Sequence, residues 1–74
     1  MSDIYSEKHQ ALAQKLRLAR KNAGLTQVEA AQRLGVTQSW VSKVESGDAR
    51  IYFLDVEEMA AVYGVDLVWF ATGT

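Results

Sequence analysis

Hydrogen-bonding side chains recur between residues 38 and 46 at a spacing that places them on one side of a helix. At 100° per residue, Val41 and Val44 share one side. The opposite side carries five polar residues, which are Gln38, Ser39, Ser42, Lys43 and Ser46. A helix that needs only a wet face usually carries Glu and Lys there, whereas Gln, Ser and Lys suit base edges and phosphates. This helix alone fits contact with a DNA major groove and an ordinary solvated face equally well, and its pairing with the preceding helix favours the DNA groove.

Two short helices joined by a tight turn are predicted to position this face. Thr26 can cap the first helix, and Glu29, three residues later, can complete a capping box. Gly35 can end that helix in the left-handed conformation, which glycine adopts without a Cβ penalty. Thr37 can cap the second helix. A connection of this length that contains glycine is typical of a helix-turn-helix.

The same residues carry a resemblance to a known family. Over about residues 12–70 the chain resembles the lambda-repressor-like, Xre/Cro-type helix-turn-helix transcriptional regulators. The resemblance implies an all-α fold, a compact bundle of five short helices with the helix-turn-helix at about 26–45 and the recognition helix at 38–45. The matching residues are 16–20, 24–27, Ala31, 34–39, 41–47, Ala60 and 63–65.

The resemblance also implies which residues lie near DNA. In the family, a glutamine at the position of Gln27 touches a phosphate and supports the first residue of the recognition helix. That first residue is Gln38, whose amide can pair bidentately with adenine N6 and N7. The full DNA-contact set is Thr26, Gln27, Thr37, Gln38, Ser39, Trp40, Ser42, Lys43, Ser46 and Arg50.

Trp40 departs from the small polar residue that the family commonly has. Its indole could contact a thymine methyl group or a sugar at the edge of the groove. Alternatively, it folds back and fills the space beside Ala30, where the family more often has leucine. The sequence leaves both orientations open.

Two charged residues match a family pair that links the first and third helices. The resemblance implies a partly buried ion pair between Arg20 and Glu45; the alternative is two independent surface charges. Arg17 and Lys21 are weaker candidates for DNA contact, since exposed helical charges are usually only solvated.

Charge is divided unevenly along the chain. The net charge is −1, but all eight Lys and Arg residues lie within residues 1–50, which carry a balance of +3. Residues 51–74 carry −4. The basic half is therefore predicted to face DNA, and the small net charge favours few phosphate contacts per subunit.

The C-terminal third is unusually apolar, with 16 hydrophobic residues among positions 51–74. These residues could complete the bundle, or they could form a two-fold homodimer interface, which the resemblance favours together with a palindromic site. The predicted dimer residues are Tyr52, Phe53, Val68, Trp69 and Phe70.

The remaining elements complete a single domain over residues 7–74, after a disordered lead at 1–6. The first helix is expected over about 7–22. A fourth helix is expected over about 54–63, with Phe53, Val56, Met59, Ala60 and Tyr63 facing inward, and a short fifth turn over 66–70.

Several function classes are disfavoured. The chain has no cysteine, no signal-peptide pattern and no apolar run of about 20 residues, which favours a cytoplasmic protein without membrane contact. It offers no nucleophile–base pair, metal cluster or phosphate-binding glycine loop, so no enzymatic activity, cofactor or small-molecule ligand is expected. The favoured function is a repressor-type homodimer that binds double-stranded DNA. The alternative is an antitoxin-like module that grips a partner protein through its apolar C-terminal segment.

Overall fold

The computed structural model describes residues 6–71, which fold into five α-helices. They are α1 (Glu7–Asn22), α2 (Gln27–Leu34), α3 (Gln38–Ser46), α4 (Phe53–Tyr63) and α5 (Leu67–Ala71). The all-α fold class and the helix count expected from the sequence are confirmed for this part of the chain. The predicted lead lies outside the described residues except for Ser6, whose hydroxyl accepts a hydrogen bond from the His9 amide and caps α1.

Local signals fix the ends of α2 and the start of α3. Thr26 Oγ1 accepts from the Glu29 amide at 3.1 Å, and Glu29 Oε1 accepts from the Thr26 amide at 2.9 Å, so the predicted capping box is present. Gly35 ends α2 at φ 72°, in the left-handed region. Thr37 Oγ1 then accepts from the Trp40 amide at 3.1 Å and starts α3. These caps set the angle between the two helices.

The hydrophobic core lies where α1, α2, α3 and α4 meet. Leu16, Val41, Val44 and Met59 are its largest fully buried side chains. Ala30 is also fully buried, and this small residue allows α2 to pack closely against its neighbours. The two valines of α3 therefore anchor that helix by its apolar side and leave the polar side outward.

The start of α4 differs from the expectation. Phe53 was predicted to face inward but is 69% exposed, and α4 begins at that residue rather than at Leu54. The first buried residue of the helix is Val56, so the first turn projects beyond the core. Asp55 Oδ2 accepts from the Tyr52 amide at 3.0 Å and supports this turn.

α5 is attached to α1 by one lysine. Lys15 Nζ donates to the carbonyl oxygens of Trp69 and Phe70 at 3.1 and 3.3 Å, and lies 5.4 Å from the centroid of the Trp69 ring. The two aromatic rings meet edge to face with centroids 5.0 Å apart. Among the described residues, no helix has the length and apolar character needed to cross a membrane.

Candidate nucleic-acid interface

A buried ion pair joins α1 to α3 behind the polar face. Arg20 Nε donates to Glu45 Oε2 at 2.6 Å, and Arg20 Nη2 donates to Glu45 Oε1 at 2.9 Å. The remaining arm of the guanidinium, Nη1, donates to the Leu25 carbonyl oxygen at 2.8 Å. The hydrogen bonds to Glu45 raise the pKa of Arg20 against the opposing effect of burial. The pair is bidentate and fixes the spacing of the two helices.

Tyr63 is a neutral buried neighbour of this pair. Burial raises the pKa of Tyr63 to about 12, and the Glu45 charge adds to the increase. The phenol therefore stays protonated at physiological pH. Its buried hydroxyl has no hydrogen-bond partner within residues 6–71.

A line of hydrogen bonds leads from the ion pair to the protein surface. Gln27, the first residue of α2, donates from Nε2 to Glu45 Oε1 at 3.1 Å. Gln38, the first residue of α3, donates from Nε2 to Gln27 Oε1 at 2.8 Å. Gln38 is exposed, Gln27 is half-buried and Glu45 is buried. The outermost amide is thus joined by an exposed hydrogen bond to residues that become more buried towards the ion pair.

The polar side of α3 is accessible as the spacing predicted. Gln38, Ser39, Lys43 and Ser46 are exposed and Ser42 is half-buried. The hydroxyl of Ser46 lies 3.0 Å from the Lys43 carbonyl oxygen and 3.1 Å from Asp48 Oδ2. It therefore donates to an acceptor at the C-terminal end of α3. Arg50 is exposed in the segment before α4. Thr26 and Thr37 use their hydroxyl oxygens as caps.

The comparison with protein families agrees with this geometry. Residues 11–69 match the family described as helix-turn-helix domain. The chain belongs to this family. α2 and α3 form the helix-turn-helix, and membership of the family points to DNA binding and to a role in transcription regulation. No curated protein matches the chain.

Trp40 packs inward in this helix-turn-helix domain. It is half-buried and lies against the core cluster that contains Ala30. This is the second of the two orientations left open by the sequence.

A residue that the sequence offered only as a weaker candidate for DNA contact lies beside the interface. Arg17, which is exposed, lines a surface concavity together with Gln27, Ser42, Glu45 and Ser46. The sequence contains a signal for this position, because Arg17 precedes Arg20 by three residues and therefore shares its side of α1. Its guanidinium adds a positive charge at the edge of the polar face.

Large apolar side chains are also exposed at the start of α4 and in α5. Tyr52, Phe53 and Val68 are exposed by 65%, 69% and 67%, and Leu54 is similarly exposed. Trp69 and Phe70 are half-buried and pack against the core cluster. Of the five residues predicted at a dimer interface, three are therefore accessible and two mainly hold α5 in place. We call the exposed side chains of Tyr52, Phe53, Leu54 and Val68 the apolar face.

Residues that could hold a metal ion are not brought together in the described part of the chain. Between residues 6 and 71, no group of three His, Cys, Asp or Glu side chains converges. His9, the single histidine, is half-buried in α1, and its Nε2 atom has no hydrogen-bond partner within the same range.

Proposed function

We propose that this protein is a sequence-specific, double-stranded DNA-binding transcription regulator of the lambda-repressor-like, Xre/Cro type. It acts as a homodimer that occupies a palindromic operator and represses transcription from it. The observation that carries the proposal is the anchored amide of Gln38, which stands at the start of an exposed polar helix face and is held from behind by Gln27 and Glu45. Fixed donors and acceptors of this kind suit base edges in a major groove.

The charge distribution supports the same orientation on DNA. Lys43 belongs to the polar face, Arg17 lies at its edge, and Arg50 lies close to it in sequence. Glu57 and Glu58 of α4 are exposed on the part of the chain that carries the negative balance. Repulsion from phosphates would keep that part away from the duplex, while the basic residues would position α3.

The apolar face supports the dimer. Large exposed aromatic and aliphatic side chains are typical of association sites. A two-fold contact there would place two copies of α3 about one turn of DNA apart, which gives half-sites roughly 10 base pairs apart. The operator would then share the symmetry of the protein.

Selection from random duplexes at low ionic strength tests the proposal. We expect the wild-type protein to enrich one palindrome, with half-sites separated by about one helical turn. Gln38→Ala should relax the preference at one base-pair position per half-site, by about 1–3 kcal/mol, while binding persists. Circular dichroism of both proteins verifies that they are folded. Failure of the folded wild-type protein to enrich any duplex would rule out sequence-specific binding.

A second candidate function is supported by the same apolar face. An antitoxin-like protein would cover Phe53 and its neighbours with a partner protein rather than with a second copy. Sedimentation of the purified chain at high micromolar concentration separates the two. A dimer supports the repressor, and a monomer that still binds DNA supports the partner-binding module.

A further inference from the structure

Two hydrogen bonds connect Glu45 to Gln27 and Gln27 to Gln38, and only one assignment of donors and acceptors is chemically consistent. A carboxylate accepts hydrogen bonds and cannot donate them. The Gln27 atom 3.1 Å from Glu45 Oε1 must therefore be the amide nitrogen, which leaves the Gln27 carbonyl oxygen facing Gln38. That oxygen lies 2.8 Å from the Gln38 amide nitrogen. A buried acceptor thus orients two surface amides in succession.

This direction determines what Gln38 presents to solvent. One N–H of its amide is used by Gln27, so the carbonyl oxygen and the other N–H remain for a ligand. An acceptor beside a donor matches the major-groove edge of adenine, which offers the N6 amino group and N7. Guanine offers two acceptors, O6 and N7, and would need two donors. If the hydrogen bonds ran the other way, Gln38 would present both N–H groups and match guanine.

We infer that Glu45 is a positioning residue for base selection: acting through Gln27, it makes Gln38 select adenine over guanine at the base pair it contacts. The inference rests on the proposed DNA-binding function. It assigns to the ion pair a role beyond stability, since a merely structural pair would leave the base preference of Gln38 untouched. Gln27 is the link, because it alone contacts both Glu45 and Gln38 in the described network.

Two substitutions at Gln27 test the inference without removing either member of the ion pair. The readout is the ratio of dissociation constants for two duplexes that differ only by A·T or G·C at the position relaxed in Gln38→Ala. The wild-type protein should favour adenine by about tenfold or more. Gln27→Met keeps the length of the side chain but has no amide, so the ratio should approach one. Gln27→Lys can donate to both Glu45 and the Gln38 carbonyl oxygen, so guanine should become the favoured base.

A double variant tests Glu45 itself. Arg20→Met combined with Glu45→Leu replaces both buried charges by apolar groups, which folded proteins often tolerate. Gln27 then loses its anchor, and the ratio should fall as in Gln27→Met. Thermal unfolding verifies that each protein is folded at the assay temperature. If the double variant is unfolded, Gln27→Lys decides the matter, because its preference for guanine requires Glu45 to accept from the lysine and hold it in place.

Retention of the wild-type ratio by any folded variant would overturn the inference, as would a wild-type preference for guanine. Both results leave the proposed function standing, because the protein still binds its selected duplex. Failure of the wild-type protein to enrich any duplex would defeat the proposed function and the inference together.

Discussion

The polar face of α3 and the apolar face at α4 and α5 are held in place by different forces. The polar face is fixed by directional bonds: a bidentate ion pair, two amide hydrogen bonds and two threonine caps. The apolar face presents large exposed side chains, among them Phe53, whose orientation rests on weaker, non-directional packing. Directional bonds suit the polar face to discrimination between ligands atom by atom, whereas non-directional packing suits the apolar face to any apolar surface of complementary shape.

The largest expected effect comes from breaking the ion pair behind the polar face. Glu45→Ala leaves Arg20 buried and unpaired, and should lower the free energy of unfolding by about 3–5 kcal/mol. Arg20→Met with Glu45→Leu should lower it far less, because no buried charge remains. Urea denaturation of Arg20→Met alone, Glu45→Leu alone and the double variant measures the coupling. Additive effects would show that the two charges act independently.

The next largest effect is expected from a charge placed on the apolar face. Phe53→Asp places a charge on the apolar face and should weaken dimerisation by about 2 kcal/mol, roughly thirtyfold, as expected of a central aromatic residue. Affinity for the palindrome should fall with it, while affinity for a single half-site stays unchanged. Leu18→Asp is the matched control, since Leu18 is 48% exposed on α1, outside the apolar face. Sedimentation profiles that are identical for the two variants would contradict the assignment.

A smaller effect sharpens the boundary of the polar face. Arg17→Ala should weaken binding to all sequences by a similar factor and lower the salt-dependence slope by about 0.9, the value for one phosphate contact. Lys8→Ala removes the same charge from an exposed position at the other end of α1. Titrations at several salt concentrations measure both slopes. Equal slopes for the two variants would leave Arg17 as a solvated charge.

The smallest effect concerns the cap that positions α2. The hydrogen bond from the Thr26 amide lowers the pKa of Glu29, so the folded state holds its proton less tightly than the unfolded state does. The resulting stabilisation is present above the unfolded value of 4.5 and is lost as pH falls through the folded pKa. Glu29→Gln should remove this part of the acid sensitivity. Thermal unfolding of the wild-type protein and Glu29→Gln between about pH 3 and pH 7 measures this difference. The same change of melting temperature with pH in both proteins would contradict the expectation.

The sequence predicts the fold well because the signals for it are local. Thr26 with Glu29, Gly35 and Thr37 specify the helix-turn-helix through contacts within a few residues, and each forms as expected. The prediction that Phe53 faces inward is wrong, because helical periodicity gives the direction of a side chain but not whether the core extends far enough to cover it.

The interface is predictable only in part, for a related reason. The polar face of α3 follows from spacing alone, and its exposure agrees. The support of Gln38 by Gln27 follows from the resemblance, whereas the hydrogen bond from Gln27 to Glu45 depends on α2 and α3 meeting at hydrogen-bond distance, which no single segment encodes. For Arg17, spacing gives the side of α1 that it shares with Arg20, but its closeness to Gln27 and Ser42 depends on the packing of other helices.

Amide chemical-shift mapping with the selected duplex shows in one experiment whether DNA perturbs the polar face or the apolar face. We expect the largest shifts in the N-terminal turns of α2 and α3, at Gln27 and at Gln38 through Lys43, with small shifts in α4 and α5 when a single half-site is used. Shifts concentrated around Phe53 and Val68, with α3 unaffected, would show that the DNA binds at the apolar face instead.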